Sequence, residues 1–331
     1  MLDTRHYLKD MPVCQPFHLD LNFFNKENRV LHYPVRAFYV DGLNLMAYSL
    51  CSGVDNTYKK LYTSIPGNVE YHPKHIVYSK KQHLFLVVYE FSGSTNEVVL
   101  YWENTDSQQA NSKGSTIKGR DAAFIGPNDN QFAILDEDKT GLSLYILPGG
   151  ATNEAGEKNL LVEENHFAET NTGSLQGPLQ FMFESEVDRI FSTPLAAEST
   201  LMFASDGKQI SLAKLIQGYR LSTSDGHYIS TKAEGRKSIK LKMNEIVLQV
   251  HWQETLRGYV AGILTTKRVL MVSADLDILT KIDKGLPSLR SLLWVGPALL
   301  FSTATSVRML AWDGVVRTIL SILMQVLSFI W

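Results

Sequence analysis

Cysteine is nearly absent from this 331-residue chain, which holds only Cys14 and Cys51. Two cysteines cannot make a disulfide framework, and no Asn-x-Ser/Thr sequon is present, so a reducing, cytoplasmic setting is expected. Charge of one sign is lacking too. With 32 Lys and Arg against 34 Asp and Glu, the formal net charge is -2, which removes the broad basic face that nucleic-acid binding needs. The N-terminal MLDTRHYLKDMPVCQPF has no apolar core of the signal-peptide kind. Near the other end, the apolar stretch from Thr318 to Trp331 is broken by Thr318, Ser321, Gln325 and Ser328. It is shorter than the roughly 20 residues a membrane-spanning helix takes. A final strand followed by a frayed end is expected there, with an amphipathic surface helix as the alternative.

The usual catalytic signatures are missing as well: there is no HExxH, no paired CxxC, no GxSxG and no GxGxxG. The nearest approach to a phosphate loop runs from Gly150 to Lys158, but it has five spacers and places Glu157 where a lysine belongs. A carboxylate there repels phosphate, so the segment reads as an acidic loop. His72 and His75 stand three apart in YHPKHIVY, yet Pro73 opposes a helix that would align them on a metal, and a turn entering a strand is expected. Asp136, Glu137 and Asp138 in LDEDKTG fit a hairpin tip, where acids cap and solvate the turn. His251 beside Trp252 reads as strand packing. No catalytic residue, metal site, cofactor or small-molecule substrate is assigned.

What the chain does contain is a recurring unit of four short apolar runs. Its clearest copy is IVLQVHW, GYVAGIL, RVLMVS and DILTKI, starting at Ile246, Gly258, Arg268 and Asp277. Another follows as SLLWVG, ALLFST, SVRMLAW and VVRTIL, from Ser291 to Leu320. Four strands in about 45 residues make one β-propeller blade, and a blade buries its two faces only against neighbouring blades. Opening-strand anchors recur at Ile76, Ala123, Ile190, Leu248 and Leu293, with gaps of 47, 67, 58 and 45 residues. The two long gaps hold the polar stretches 148–179 and 222–240, which read as loop insertions. Third strands repeat as EVVLYW, GLSLYIL, QISLAKL, RVLMVS and SVRMLAW. An earlier copy, RAFYVDGLNLMAYSL, begins at Arg36.

The expected fold is therefore all-β: a WD-like propeller of about six to seven degenerate four-stranded blades, with closure of the ring left open. Residues 1–35 form an N-terminal extension or partial strand region, 36–323 the propeller, and 324–331 an atypical apolar tail. A β-sandwich is the competing architecture, but it does not repeat at this period.

Two segments are electrically distinct. Glutamates 154, 157, 163, 164 and 169 face only Lys158 in the first insertion, whereas Lys232, Arg236, Lys237, Lys240 and Lys242 face only Glu234 in and beside the second. Such runs are usually solvated. The basic one is the candidate contact for an anionic membrane surface or a partner.

Three strings carry a family resemblance: GRDAAFIGPNDNQFAILDEDKTGLSLYILPG, FESEVDRIFSTP and LRSLLWVGPALLFSTATSV. They resemble the second propeller of the large WD-repeat coatomer subunits. Together with the segments from Lys9, Tyr58 and Val250, the chain is similar to the plant WD-repeat subunits of the TPLATE complex, the plant form of the TSET adaptor. The resemblance runs from about Leu8 to about Ile322. It implies a non-catalytic scaffold in clathrin-mediated endocytosis, held with other coat or adaptor subunits at the plasma membrane or endocytic vesicles. Family members carry a preceding propeller and a following α-solenoid, so it also implies a fragment. The alternatives are a propeller enzyme with a central-channel site, whose innermost strands would then hold converging acids or histidines, and an unrelated peptide-binding WD-like module.

Overall fold

Among the described residues every regular element is a strand, as short β-branched and aromatic runs favour. The computed structural model describes residues 18–20, 36–41, 44–49, 54–60, 71–79, 81–91, 96–104, 109–110, 115–147, 176–183, 185–195, 200–205, 207–215, 221–223, 226–230, 237–256, 258–283, 288–295, 298–312 and 314–321. The strands form six sheets, each built on an antiparallel four-stranded meander, and the molecule is a six-bladed β-propeller.

Blade 1 contains β1 (His18–Asp20), β2 (Arg36–Asp41), β3 (Asn44–Ser49) and β4 (Asp55–Lys60), in that order. Blade 2 contains β5 (Tyr71–Ser79), β6 (Leu84–Phe91) and β7 (Glu97–Asn104); both β8 (Gln109–Ala110) and β9 (Ser115–Lys118) pair with β7. In blade 3, β10 (Asp121–Ile125), β11 (Gln131–Leu135), β12 (Gly141–Ile146) and β13 (Gln176–Met182) lie in sequence order. Blade 4 begins with β14 (Val187–Phe191), β15 (Thr200–Ser205) and β16 (Gln209–Lys214). Before it is completed, the hairpin of β17 (Leu221–Thr223) and β18 (Gly226–Ser230) leaves to join blade 3, and β19 (Ser238–Lys240) then supplies the fourth strand. Blade 5 is β20 (Val247–Thr255), β21 (Gly258–Thr265), β22 (Val269–Ser273) and β23 (Ile278–Ile282). Blade 6 is β24 (Ser291–Val295), β25 (Ala298–Ser302), β26 (Ser306–Leu310) and β27 (Val316–Ser321).

The core lies between the blades. Strand alternation sends successive side chains to opposite faces, so each middle strand feeds two interfaces. In β6, Phe85, Val87 and Tyr89 pack toward blade 1 with Phe38 and Leu45, while Leu84, Leu86 and Val88 pack toward blade 3 with Phe124 and Phe132. Similar clusters join blades 3 and 4 around Phe181 and Phe203, blades 4 and 5 around Met202 and Ile263, and blades 5 and 6 around Met271 and Phe301. First strands stand side by side, β10 beside both β5 and β14, and β24 beside β20.

Two stretches read as loop insertions are partly strand. Residues 176–179 belong to β13, and 222–240 contains most of β17 together with β18 and β19. The physical reason is edge pairing. β18 runs parallel to β13 and satisfies hydrogen-bonding groups that an outermost strand leaves open. In β19 only Ile239 points inward, so the three-residue strand is too polar to stand out in the sequence. The expected turn at YHPKHIVY is likewise a nine-residue strand, β5, whose register shifts between Pro73 and His75. Proline is tolerated at such a bulge because its missing N–H falls where the ladder is already broken. β1 pairs with β2. The tail 324–331 lies outside the described residues, and none of those described forms a helix long and apolar enough to cross a membrane.

Close approach of blades also explains one glycine. A Cβ on Gly262 would stand 2.7 Å from Cδ1 of Leu299 and 3.1 Å from Cδ2 of Leu292, both on blade 6. Gly262→Val is expected to lower stability by about 1–3 kcal/mol through overpacking, and Phe181→Ala by about 3–5 kcal/mol through a cavity. Both are read as lower denaturant midpoints. Unchanged midpoints for both would contradict this packing between blades.

Candidate functional site

The first strands of blades 2 to 5 converge on a cavity of about 400 Å³ near the propeller axis. Its walls include His75 and Tyr78 from β5, Arg189 and Phe191 from β14, and Gln249, Trp252 and Glu254 from β20. Strand geometry places them: His75 and Arg189, 114 residues apart, and Gln249, 60 further on, meet because each lies in the first strand of its blade.

In its wall is a buried polar joint, with His75 and Arg189 on the lining and Asp121 behind them. Nε2 of His75 lies 2.8 Å from Oδ1 of Asp121, and the two side chains are 8% and 4% exposed. The contact is electrostatic rather than well directed, since the ring N–H is not aimed squarely at the oxygen. Oδ2 of Asp121 accepts the Ile190 backbone N–H at 3.0 Å, and Arg189 Nε stands 3.6 Å from the same oxygen. Arg189 also donates to the Leu248 carbonyl at 3.3 Å and lies over the Phe191 ring. One carboxylate thus ties blade 2 to blades 3 and 4, and the guanidinium extends the tie to blade 5.

Burial alone would raise the Asp121 pKa. The charge and hydrogen-bonding contribution of His75, Arg189 and the Ile190 N–H outweigh it and hold Asp121 at about 2. Burial pushes His75 below its ordinary value against the pull of Asp121. Both shifts therefore favour the neutral-pH form of the joint.

Other junctions are stitched in the same way. Ser79 donates to Asp129 at 2.7 Å, and the Phe124 N–H donates to Ser192 Oγ at 2.9 Å. Gln249 accepts the Leu292 N–H at 2.8 Å, while Trp294 Nε1 donates to the His251 carbonyl at 2.8 Å. These side chains are spent on blade junctions. By contrast, the buried Nε1–H of Trp252 has no acceptor among the described residues, and it lines the cavity. Chemically, the site can hold a carbonyl-bearing segment against aromatic walls.

Nothing in the sequence marked this joint. His75, Asp121 and Arg189 carry no shared motif, and only their common place in successive first strands could have marked them. His75 meets Asp121, and among the described residues no group of three or more His, Cys, Asp or Glu is placed to hold a metal ion. His72 lies in β5, and the His251 carbonyl serves blade 6. The acids of LDEDKTG cap their turn: Asp138 accepts from the Thr140 and Gly141 N–H groups at 3.0 and 2.9 Å, and Asp136 accepts from Ser143 Oγ at 3.4 Å. Glu137 bonds Asn96 of blade 2.

Of the basic candidates, Lys232 and Arg236 lie outside the described residues, as do the acidic loop glutamates and the segment from Gly150 to Lys158. Lys237 pairs with Asp277, and Lys242 stands 3.4 Å from Asp283, so two of the five join blade 4 to blade 5 at the rim. Lys240 is exposed at the end of β19.

The shifts at the joint set a pH dependence. Stability carried by Asp121 is present above the ordinary carboxylate value of 3.8 and is lost as pH falls from there through about 2. The depressed His75 adds a loss in the same direction, beginning as pH drops below 6.5. Asp121→Asn is expected to flatten the acid limb between those carboxylate values and to cost about 3–5 kcal/mol at neutral pH, because it breaks a buried pair. Denaturant unfolding at stepped pH measures both. An acid limb identical to that of the parent chain would refute the assignment.

Comparison with known proteins is confined to the fold. No family model matches the chain, and no curated protein does. Solved structures similar to it include a chain from the mitotic checkpoint complex, 12% identical, covering 95% of this chain and 87% of that one with a TM-score of 0.47. Hsv2 of Kluyveromyces lactis is 10% identical, with 95% and 88% covered and a TM-score of 0.47. A putative 6-phosphogluconolactonase from Bacteroides uniformis is 11% identical, with 86% and 77% covered and a TM-score of 0.49.

Proposed function

We propose that this chain is a non-catalytic interaction scaffold of a vesicle coat or adaptor assembly, acting in clathrin-mediated endocytosis. The observation that carries the scaffold reading is where the axial polar groups are spent. Asp121 lies against His75 and accepts the Ile190 N–H, Gln249 accepts the Leu292 N–H, and the Ser192 hydroxyl accepts the Phe124 N–H. Each contact spans two blades and stiffens the disk. Faces and rim are then free to bind partners, which needs no reactive side chain.

The coat assignment is supported by the sequence resemblance, and its strings fall on blade cores. GRDAAF…LPG covers β10 to β12, FESEVDRIFSTP covers β14, and LRSLLW…TSV covers β24 and β25. The partners in this reading are other coat or adaptor subunits, with no cofactor, nucleic acid or small-molecule substrate. The chain sits in the cytoplasm and reaches the plasma membrane or endocytic vesicles through the complex. A stable partner interface of this kind buries about 1,200–2,000 Å² in total.

Affinity purification from plant cells, followed by mass spectrometry, is expected to recover other subunits of the TPLATE type. A well-folded bait that recovers none of them overturns the coat assignment.

A second reading, an enzyme working in the axial cavity, is favoured by one observation: His75 and Arg189 line it, both held by the buried Asp121. Of the three, Arg189 is the most open, with 33% of its side chain exposed. Turnover of a lactone or phosphoester by the purified chain, abolished by Arg189→Met, would favour the enzyme over the scaffold.

A further inference from the structure

Blades 4 and 5 present three turns at one end of the propeller, opposite the end where β20 runs into β21. They are the turn between β15 and β16, the connection 241–246 from β19 to β20, and the turn between β21 and β22. Hydrogen bonds lock them together. The Leu241 N–H donates to the Lys208 carbonyl at 2.7 Å, the Ile246 N–H to Thr266 Oγ1 at 3.1 Å, and Lys267 Nζ to the Met243 carbonyl at 2.5 Å.

The middle connection is a rigid turn. The Glu245 N–H closes on the Lys242 carbonyl at 3.0 Å, and Asn244 takes a φ of 55°. Glu245 points inward with its side chain 0% exposed, accepting from Arg268 Nε, Thr265 Oγ1 and the Lys242 N–H. That anchor forces the neighbouring apolar side chains outward. Met243 is 85% exposed and Ile246 60% exposed, on a turn whose backbone cannot fold them back. Exposed lysines surround them: Lys208, Lys240, Lys242 and Lys267. Glu245 is offset by Arg268 and Asp283 by Lys242, and Asp188, which accepts the Gly207 N–H, is outnumbered by Lys208, Lys240 and Lys267. Charge at this end is therefore positive around an apolar tip. Another exposed apolar tip, Leu256, sits at the opposite end of β20 near Glu254, and no lysine is placed beside it among the described residues.

We propose that this three-turn face docks directly on an anionic phospholipid bilayer, with Met243 and Ile246 entering the interfacial layer and Lys240, Lys242 and Lys267 among the headgroups. An apolar side chain ringed by ammonium groups matches a surface that is apolar beneath and negative above. The inference deepens the coat reading by naming the face turned to the membrane, and it fails separately. A coat subunit can recover its partners without touching lipid.

The test is vesicle sedimentation of the full chain with phosphatidylcholine alone and with phosphatidylcholine plus phosphatidylserine. Binding is expected only to the anionic vesicles and is expected to fall as salt rises. Met243→Glu lowers the partition about tenfold or more, as does the pair Lys240→Glu with Lys267→Glu, while Leu256→Glu leaves it unchanged. A dye on Met243→Cys, in a chain also carrying Cys14→Ser and Cys51→Ser, shifts to the blue on anionic vesicles, which a folding defect does not produce. Equal binding to neutral vesicles, no shift of the dye, or insensitivity to the three charge-changing substitutions at this face overturns the proposal. Loss of a copurifying coat subunit in Met243→Glu with vesicle binding intact assigns the face to a protein and overturns it too.

Discussion

Burial of apolar side chains between adjacent sheets is the constraint on which this molecule depends. A single four-stranded blade has two apolar faces and cannot shield either one. The middle strands show the consequence, because alternate residues of β6 enter different inter-blade clusters. Successive blades thus hold one another, and stability is spread over five junctions among the described residues rather than concentrated in one centre. Close packing leaves little slack, as the fit of Gly262 between Leu292 and Leu299 shows.

Apolar burial is non-directional, so it does not set how far one blade slides or rotates against the next. The axial hydrogen bonds do. Asp121 reaches the backbone of blade 4 while pairing with a histidine of blade 2, and Gln249 fixes the start of blade 6. Removing these groups from water is costly unless they are paired, which gives each junction one preferred register. The same arrangement explains why convergent polar side chains around a cavity do not by themselves signal catalysis. Groups bonded to one another and to backbone are poorly placed to take part in a reaction.

The two ends of the disk consequently differ in character. One end opens into an aromatic cavity with a buried indole donor. The other, at blades 4 and 5, carries a stiff turn whose inward glutamate leaves methionine and isoleucine standing among lysines. Lys237 and Lys242, which look like free positive charge in the sequence, serve partly as rim ties to Asp277 and Asp283. The lysine that completes the basic face, Lys267, comes from a hairpin of the next blade and is invisible to any reading of the charge run alone.

By itself the sequence determined the all-β class, the repeat, the first and third strands of five blades and the earlier copy at Arg36, because apolar periodicity and turn residues are local properties. It also placed Asp136 and Asp138 on a hairpin turn, which Asp138 caps. It did not show β19 or the β17–β18 hairpin, whose few polar residues become strands only because an adjacent edge offers hydrogen bonds. Nor did it show the joint of His75, Asp121 and Arg189 or the cluster around Met243. Those groupings depend on which strands stand side by side, and that was decided only when the blades packed against one another in three dimensions.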